Sequence, residues 1–315
     1  MSDFDVSVVG RVYVDHVFAG FDQRPALGKE IYCKSYQRSI GGGAAITSYW
    51  LGTMGRRVQV ACVVGHDEVQ WFRGEFGGAG VATELMCSSA LNSGVTAAIT
   101  LGNDREFFTH LGANMELEKY LDDDQILNRL CCGAHLHMTI PLPRTVAKRV
   151  IDRAHSAGLT VSLDVGYQPA WFGNPENRAT LREVDFFFPN EVEAKLLGLS
   201  TRRGLREWLE SDDGNEARPA ARWVVVKHGG AAAVAASAGS YVAVQPPVVE
   251  NVDTTGAGDA FDAGFIDGFL DGGDVRDWLR WGCVCGSLSI GKLGGVAAAV
   301  GREKVSMMKE ETYGI

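Results

Sequence analysis

The sequence predicts an α/β protein, with one mostly parallel sheet covered on both faces by helices and a small β lid at its edge. Two observations carry that expectation. Short β-rich runs alternate with helical stretches along the chain, a rhythm that lays parallel strands side by side and sends the connecting helices to the two faces. Two stretches, at about 11–40 and 93–113, break the rhythm with extended segments of alternating polarity, such as Val12 and Val14 and then Val95, Ala97 and Ile99. Extended pieces inserted beside an α/β core suggest the lid. There is no internal repeat, and residues 1–315 are expected to form a single domain.

Taken in order, Val6 to Gly10 reads as the first strand and Ala44 to Met54 as a helix. Val58 to Val64 is a strand ending at Gly65, Arg144 to Ala157 a helix, and Leu159 to Leu163 a strand ending at Asp164. Asp185 to Phe188 and Trp223 to Val226 are two more strands, with a helix at Glu191 to Leu197 between them. Ser211 to Ala221 reads as a solvated loop, and Ala231 to Ala238 as a strand pair with a turn. Tyr241 to Val252 is extended, and a helix follows from Ala260 to Leu270.

The 315 residues are 46% hydrophobic and 22% charged, enough apolar material for a sizeable core. The net charge is −9 and no long basic run occurs, which argues against nucleic acid and against an anionic membrane as partners. An acidic surface still admits a phosphate ligand, because backbone N–H groups hold phosphate without net positive charge. No apolar run approaches the ~18 residues of a membrane span, and the first residues lack a basic n-region. Seven cysteines show neither disulfide nor zinc spacing; Cys131-Cys132 and Cys283-x-Cys285 read as small core residues. A reduced, cytoplasmic protein is the expectation.

The strongest chemical signal is Asp253-Thr-Thr-Gly-Ala-Gly-Asp259-Ala-Phe261, lying between an extended segment and a helix. Small residues at Gly256, Ala257 and Gly258 let a turn expose its N–H groups where the helix dipole also favours negative charge, which makes an anion site. Asp259 then falls in the first helical turn, beside any phosphate held there. A carboxylate in that place can take the proton of an acceptor hydroxyl while the N–H groups stabilise the transferring phosphoryl. An acid at a helix start also stabilises the dipole by about 0.3–1 kcal/mol without any chemistry. The turn is not a Walker A loop, since no Lys-Ser/Thr follows the glycines.

This nonapeptide resembles the C-terminal signature of the ribokinase-like (PfkB) carbohydrate kinases, and the resemblance covers nearly the whole chain. Gly41-Gly42-Gly43-Ala44-Ala45 is similar to that family's N-terminal diglycine motif, and Val64-Gly65-His66-Asp67-Glu68 to its Val-Gly-x-Asp element. Gly112-Ala113-Asn114, Pro189-Asn190-Glu191-Val192-Glu193 and Lys227-His228-Gly229 match three further family elements in order and spacing. The resemblance implies a doubly wound, ribokinase-like domain with a β lid, ATP as donor and Mg²⁺ as helper. It implies Asp259 as catalytic base and Gly256, Ala257 and Gly258 as the anion hole. It implies that Asp15, Gly42 and Gly43 bind the acceptor, and that Asn190, Lys227, Gly229, Thr255 and Gly258 meet ATP. Glu193 would organise Mg²⁺ through waters. Asp253, the carbonyl of Thr255, and Gly294 match a monovalent-cation site, taken here as K⁺. The bland alternatives are a capping box for Asn190 and Glu193, a surface lysine for Lys227, a turn-fixing role for Asp253, and a polar lid residue for Asp15.

The acceptor site departs from the family pattern. Ile46 stands where the family usually has a sugar-binding Asn, so the acceptor is expected to turn an apolar edge toward it. Asp164-Val165-Gly166-Tyr167-Gln168 lacks the Asn and Arg of a common family element. Asn103, Arg105, Phe107, Phe108 and His110 are expected to face the site from the lid, with Arg105 touching the acceptor. His135 and His137 share one face of a strand but lack a third metal ligand; Trp171 and Phe172 read as core. The leading expectation is an ATP-dependent kinase acting on a sugar hydroxyl. A nucleoside kinase on the same fold is an alternative, and a non-catalytic sugar- or nucleotide-binding regulatory relative is another. A lid with an exposed sheet edge can pair with a second lid, so a homodimer through the lid is expected.

Overall fold

The computed structural model describes residues 3–24, 26–101, 104–211 and 223–314; at 101, 104 and 105 only the backbone is described. The strands run β1 (Val6–Gly10), β2 (Tyr13–Phe21), β3 (Ser35–Gly41), β4 (Val58–Gly65), β5 (Val81–Ser89), β6 (Val95–Leu101), β7 (Asp104–His110), β8 (His135–Thr139), β9 (Thr160–Leu163), β10 (Phe186–Phe187), β11 (Trp223–Val226), β12 (Ala233–Ser237) and β13 (Ser240–Val244). Nine of them form one sheet in the order β13-β12-β11-β10-β9-β8-β1-β4-β5, and β3-β2-β6-β7 form a second, smaller sheet. From β10 through β5 every neighbouring pair in the large sheet is parallel, and only β11-β12 and β12-β13 are antiparallel.

β1 lies inside the sheet, between β8 and β4, where all five of its residues are buried, as a strand sandwiched between helices requires. One face carries α1 (Gly43–Thr53), α2 (Val69–Gly78), α10 (Ala257–Asp271), α11 (Val275–Ser289) and α12 (Arg302–Tyr313), whose apolar residues join Val6, Val8 and Val60 or the Phe186–Phe188 group. The other carries α3 (Leu117–Tyr120), α4 (Asp124–Leu130), α5 (Arg144–Ser156), α6 (Pro169–Gly173), α8 (Glu191–Leu196) and α9 (Arg202–Glu210), packed on Val9, Leu136 and Val161. α7 (Pro175–Ala179) buries none of its residues. The chain leaves β1 for β4 on one side, while β8 occupies the other. This is the switch point at which α/β sheets bind ligands beyond the carboxyl ends of their strands.

The lid lies at that same end. β2 pairs antiparallel with β3 and parallel with β6, and β6 turns back antiparallel into β7. The tripeptide Gly112-Ala113-Asn114 falls in a 3₁₀ turn behind β7. Its Asn114 clamps the β1–β2 crossover: Oδ1 accepts from the N–H of Val12 at 3.1 Å and Nδ2 donates to the Val12 carbonyl at 2.8 Å.

Several sequence expectations need correction. The extended segment after Ser240 stops being a strand at Val244, because Pro246 and Pro247 have no N–H for a ladder. Ala231 to Ala238 supplies only β12; its hairpin partner is β13, across a turn in which Gly239 has φ +86°. Cys132 is exposed, whereas Cys131, Cys283 and Cys285 are buried as expected. Apart from Ser211, the expected loop 211–221 lies outside the described residues.

Candidate active site

α10 starts at a turn built for open N–H groups. Its N-cap, Gly256, is left-handed at φ +72°, and no side chain caps the helix. A β-carbon on Gly256 would come to 2.8 Å of Ile46 Cδ1 and 3.0 Å of the Gly295 backbone, so only glycine fits. Asp253 fixes the approach to this turn. Its Oδ1 accepts from the Thr255 N–H at 3.0 Å and the Thr255 hydroxyl at 2.8 Å, and its Oδ2 accepts from the Gly294 N–H at 2.7 Å. The turn-fixing role expected of Asp253 is therefore realised, and it ties together the two loops named for a cation. Ile46 is 2% exposed and packs beneath Gly256 and Gly295. It is a prop under the glycine turn and offers little surface to an acceptor, contrary to expectation.

Asp259 follows in the first turn of α10, and Thr47 on α1 donates to its carbonyl at 3.2 Å. Burial pushes its carboxyl up to about 7, and the neighbouring Asp164 adds to the rise. Opposite stands the glycine run that opens α1. A β-carbon on Gly43 would meet Asp259 Oδ1 at 3.0 Å, and one on Gly41 would overlap the carboxylate of Asp15. Gly42 is left-handed at φ +87°, with the Arg11 carbonyl filling the space beside it. Asp15, on β2, is 6% exposed, and burial followed by the charges of Asp259 and Asp253 raises its carboxyl to about 7. Asp15, Gly42, Gly43 and Asp259 thus converge, although more than 200 residues separate the two ends of the set.

Lys227, at the end of β11, is no surface lysine: 10% of its side chain is exposed. Its Nζ donates to Asp164 at 2.7 Å and to both oxygens of Asp262 at 3.0 and 3.1 Å, and it would lie 3.3 Å from a β-carbon on Gly258. Burial works against the charge of Lys227, but the two carboxylates outweigh it and raise the ammonium above its ordinary value. Burial also opposes the charge of Asp164, which Lys227 nevertheless holds below the usual carboxylate range. Asp262, with no exposure, is raised well above that range by burial.

Asn190 caps α8 and closes a capping box with Glu193: the Glu193 N–H donates to Asn190 Oδ1 at 3.0 Å, and the Asn190 N–H donates to Glu193 Oε2 at 2.9 Å. Asn190 Nδ2 adds a bond to Oε1 at 2.7 Å. The bland alternative for this pair is present in full. Glu193 is 1% exposed, and burial, then Asp164, raises its carboxyl to about 7. A cavity of about 660 Å³ is lined by Asn190, Glu193, Lys227, Gly229, Gly258 and Asp259 among others. Its far wall is apolar, formed by Pro246, Val248 and Ile290.

Arg105 takes the register position opposite Thr100, but its side chain, like all of Asn103, lies outside the described residues. Phe107 and Phe108 are 54% and 61% exposed. Tyr167 is exposed, and Trp171 and Phe172 are core. His135 and His137 are fully buried, and no group of metal-ligating side chains gathers among the described residues. Sequence reasoning missed Asp262. The available signal was its place three residues after Asp259, which puts both carboxylates on one side of a helix.

The glycine turn at 256–258 and the buried Asp259 carboxylate line one and the same cavity. A profile of the pfkB family of carbohydrate kinases matches residues 4–300. The chain is 31% identical over 293 residues to the ATP-dependent ribose-1-phosphate kinase of Halopiger xanaduensis, covering 92% of this chain and 93% of that one. It is 27% identical to the ribokinase of Bacillus subtilis, over 96% of this chain and 98% of that one. A putative ribokinase II from E. coli, in complex with ATP and Mg²⁺, superposes with a TM-score of 0.82 at 22% identity, covering 98% of this chain and 99% of that one. The nucleoside kinase of Methanocaldococcus jannaschii shares the fold at a TM-score of 0.80 and 18% identity, over 98% and 99% of the two chains. The fold, the order of the motifs and the whole-chain match agree that the chain belongs to the pfkB family of carbohydrate kinases, ATP-dependent enzymes that phosphorylate a sugar or sugar-like acceptor.

Proposed function

We propose that Asp259 takes the proton from an acceptor hydroxyl held by Asp15, Gly42 and Gly43, as that oxygen attacks the γ-phosphoryl of ATP. The observation that carries this reading is the convergence of two helix starts, α1 at Gly43 and α10 at Gly256, on the Asp259 carboxylate. Developing charge on the phosphoryl would be met by the N–H groups of Gly256 and Gly258, that of Ala257 being turned back to the Thr254 carbonyl at 3.3 Å. A buried carboxyl near neutrality suits a general base. ATP lies in the cavity along Asn190, Lys227 and Gly229, with the base of the nucleotide against its apolar wall; Thr255 sits behind the lining residues Thr254 and Gly256, its hydroxyl turned to Asp253. One domain carries both halves of the site, and the lid strands close over the acceptor.

Asp164 and Glu193 line the same cavity as Asp259 without forming a preformed ligand cluster among the described residues, an arrangement that suits a hydrated metal ion arriving with the phosphates. Mg²⁺ held there through Glu193 and Asn190 would draw charge from the phosphates. The loops clasped by Asp253 form the monovalent-cation site, tested by rates in K⁺ against Li⁺ at fixed Mg²⁺. Two chains associate through the outer lid, where Tyr36 and Phe108 are exposed; light scattering of Phe108→Asp against the native protein tests it. The described residues hold no helix long and apolar enough to cross a membrane, and no disulfide joins the cysteines, which supports a reducing, cytoplasmic setting, tested by fractionation.

The acceptor is a sugar or sugar phosphate. The experiment is a panel of ribose, ribose 1-phosphate, other sugars and nucleosides, each assayed for ATP consumption. No turnover with any sugar or sugar phosphate, against rapid turnover of a nucleoside, would overturn the acceptor assignment.

A further inference from the structure

A polar seam runs through the apolar core under α10. On β8 and β9, Thr160 Oγ1 lies 2.7 Å from His135 Nδ1, His135 Nε2 lies 2.7 Å from Ser162 Oγ, and Ser162 Oγ lies 2.7 Å from His137 Nδ1. His137 Nε2 then faces Asp262 Oδ2 at 3.9 Å and has no hydrogen-bond partner among the described residues. Both imidazoles, Ser162 and Asp262 have no exposure, and the rings pack edge-on against Phe188 and Phe269. Nothing in the phosphotransfer reading uses the histidines or Ser162.

The seam has a direction. Burial lowers His135 and His137 to about 4 and about 3, so both rings are neutral and each carries one N–H. The two ring nitrogens are the only partners of Ser162 Oγ among the described residues, so using its single hydroxyl hydrogen makes one ring the acceptor and leaves the other as donor. If His137 donated, its bare Nε2 lone pair would face Asp262, both of whose oxygens already accept from Lys227 Nζ and so offer it no O–H, an unfavourable arrangement in a medium without water. If His135 donates, every hydrogen in the row points the same way: Thr160 to His135, His135 to Ser162, Ser162 to His137, and the Nε2–H of His137 toward Asp262. Burying four such groups is costly unless they serve one another.

We infer that Asp262 is a positioning residue for Lys227: backed by the Thr160–His135–Ser162–His137 row, it works with Asp164 to fix the ammonium beneath Gly258. This rests on the reading that the turn 256–258 handles the phosphoryl. The ammonium is then in place before ATP arrives and needs no reorganisation during transfer. With one carboxylate, the lysine stem would be free to rotate, and misplacement by an ångström costs about 10²-fold at most in such sites.

The test combines kinetics with ¹⁵N-histidine NMR on the full chain. Asp262→Asn should lower kcat by about 10- to 100-fold while the Kd of ATP changes much less, and Ser162→Ala should give a smaller loss of the same kind. In the native protein His137 should be the Nε2–H tautomer, and Ser162→Ala should shift its ring nitrogens. A native His137 carrying its proton on Nδ1, or native kcat in Asp262→Asn, would overturn the inference. Should Asp262→Asn fail to fold, the native tautomer and the Ser162→Ala kinetics decide. Asp259→Asn serves as the control. If it is inactive while Asp262→Asn is native-like, this inference fails alone; if both are native-like, the phosphotransfer assignment fails with it.

Discussion

Asp259 Oδ1 stands 3.0 Å from the point where a β-carbon on Gly43 would lie, so the first residue of α1 and the first turn of α10 share one small space. That contact joins the acceptor-side glycines to the base. The same added carbon would meet Thr139 Cβ at 2.8 Å, which leaves it no easy retreat.

Gly43→Ala should therefore displace the Asp259 carboxylate with little damage to the fold. We expect kcat to fall by at least about tenfold, since small misplacements at a reacting centre are expensive, with the far-ultraviolet spectrum unchanged. Native kcat would show that the two helix starts do not share the reacting space.

The pH dependence follows from burial. Asp259 and Asp15 are both raised to about 7; Asp259 must be ionised to take the acceptor's proton, and Asp15 to accept hydrogen bonds from its hydroxyls. kcat/KM should rise through a pH of about 7, with a low-pH limb steeper than one proton allows because both groups must be ionised, while their mutual repulsion spreads the rise over two steps. Asp15→Asn should leave weak activity with a shallower limb. Stability has the opposite sense. A carboxyl raised above its unfolded value of about 4 contributes stability that is complete below that value and is lost as pH rises through about 7. The Tm of the ligand-free protein should fall between a pH of about 5 and about 8, and Asp259→Asn should remove part of the fall. A kcat/KM flat across this range contradicts the assignment.

The Asn190–Glu193 box separates stability from catalysis. Asn190→Ala removes a cap and should cost about 1 kcal/mol of stability as well as activity. Glu193→Gln keeps an amide oxygen for the box but loses the charge. It should fold with a modestly lower Tm, because its amide NH2 would face one of the two Asn190 donors, and need a higher Mg²⁺ concentration for half-maximal rate. An unchanged Mg²⁺ requirement would confine Glu193 to capping.

Much of this was legible in the chain because it is local. Val6–Gly10 and Trp223–Val226 form the strands their runs suggest, and the nonapeptide at 253–261 forms the turn and helix start its glycines suggest. α11 has no clear sequence signal because Gly282, Cys283, Cys285 and Gly286 give it small, irregular apolar residues, whose fit against Phe261 and Gly264 on α10 is a tertiary one. The burial of Lys227 has no local signal because its partners, Asp164 and Asp262, lie 63 and 35 residues away. Ile46 was placed at the acceptor, yet its contacts are with Gly256 and Gly295 from the far end of the chain. Contacts of such separation depend on the closed sheet and leave no local pattern.

The most direct test is single-turnover phosphoryl transfer by Asp259→Asn, with ATP binding measured on the same sample. The account predicts native folding and near-native ATP affinity, with transfer slowed by about 10²- to 10⁴-fold. Transfer at the native rate would contradict it.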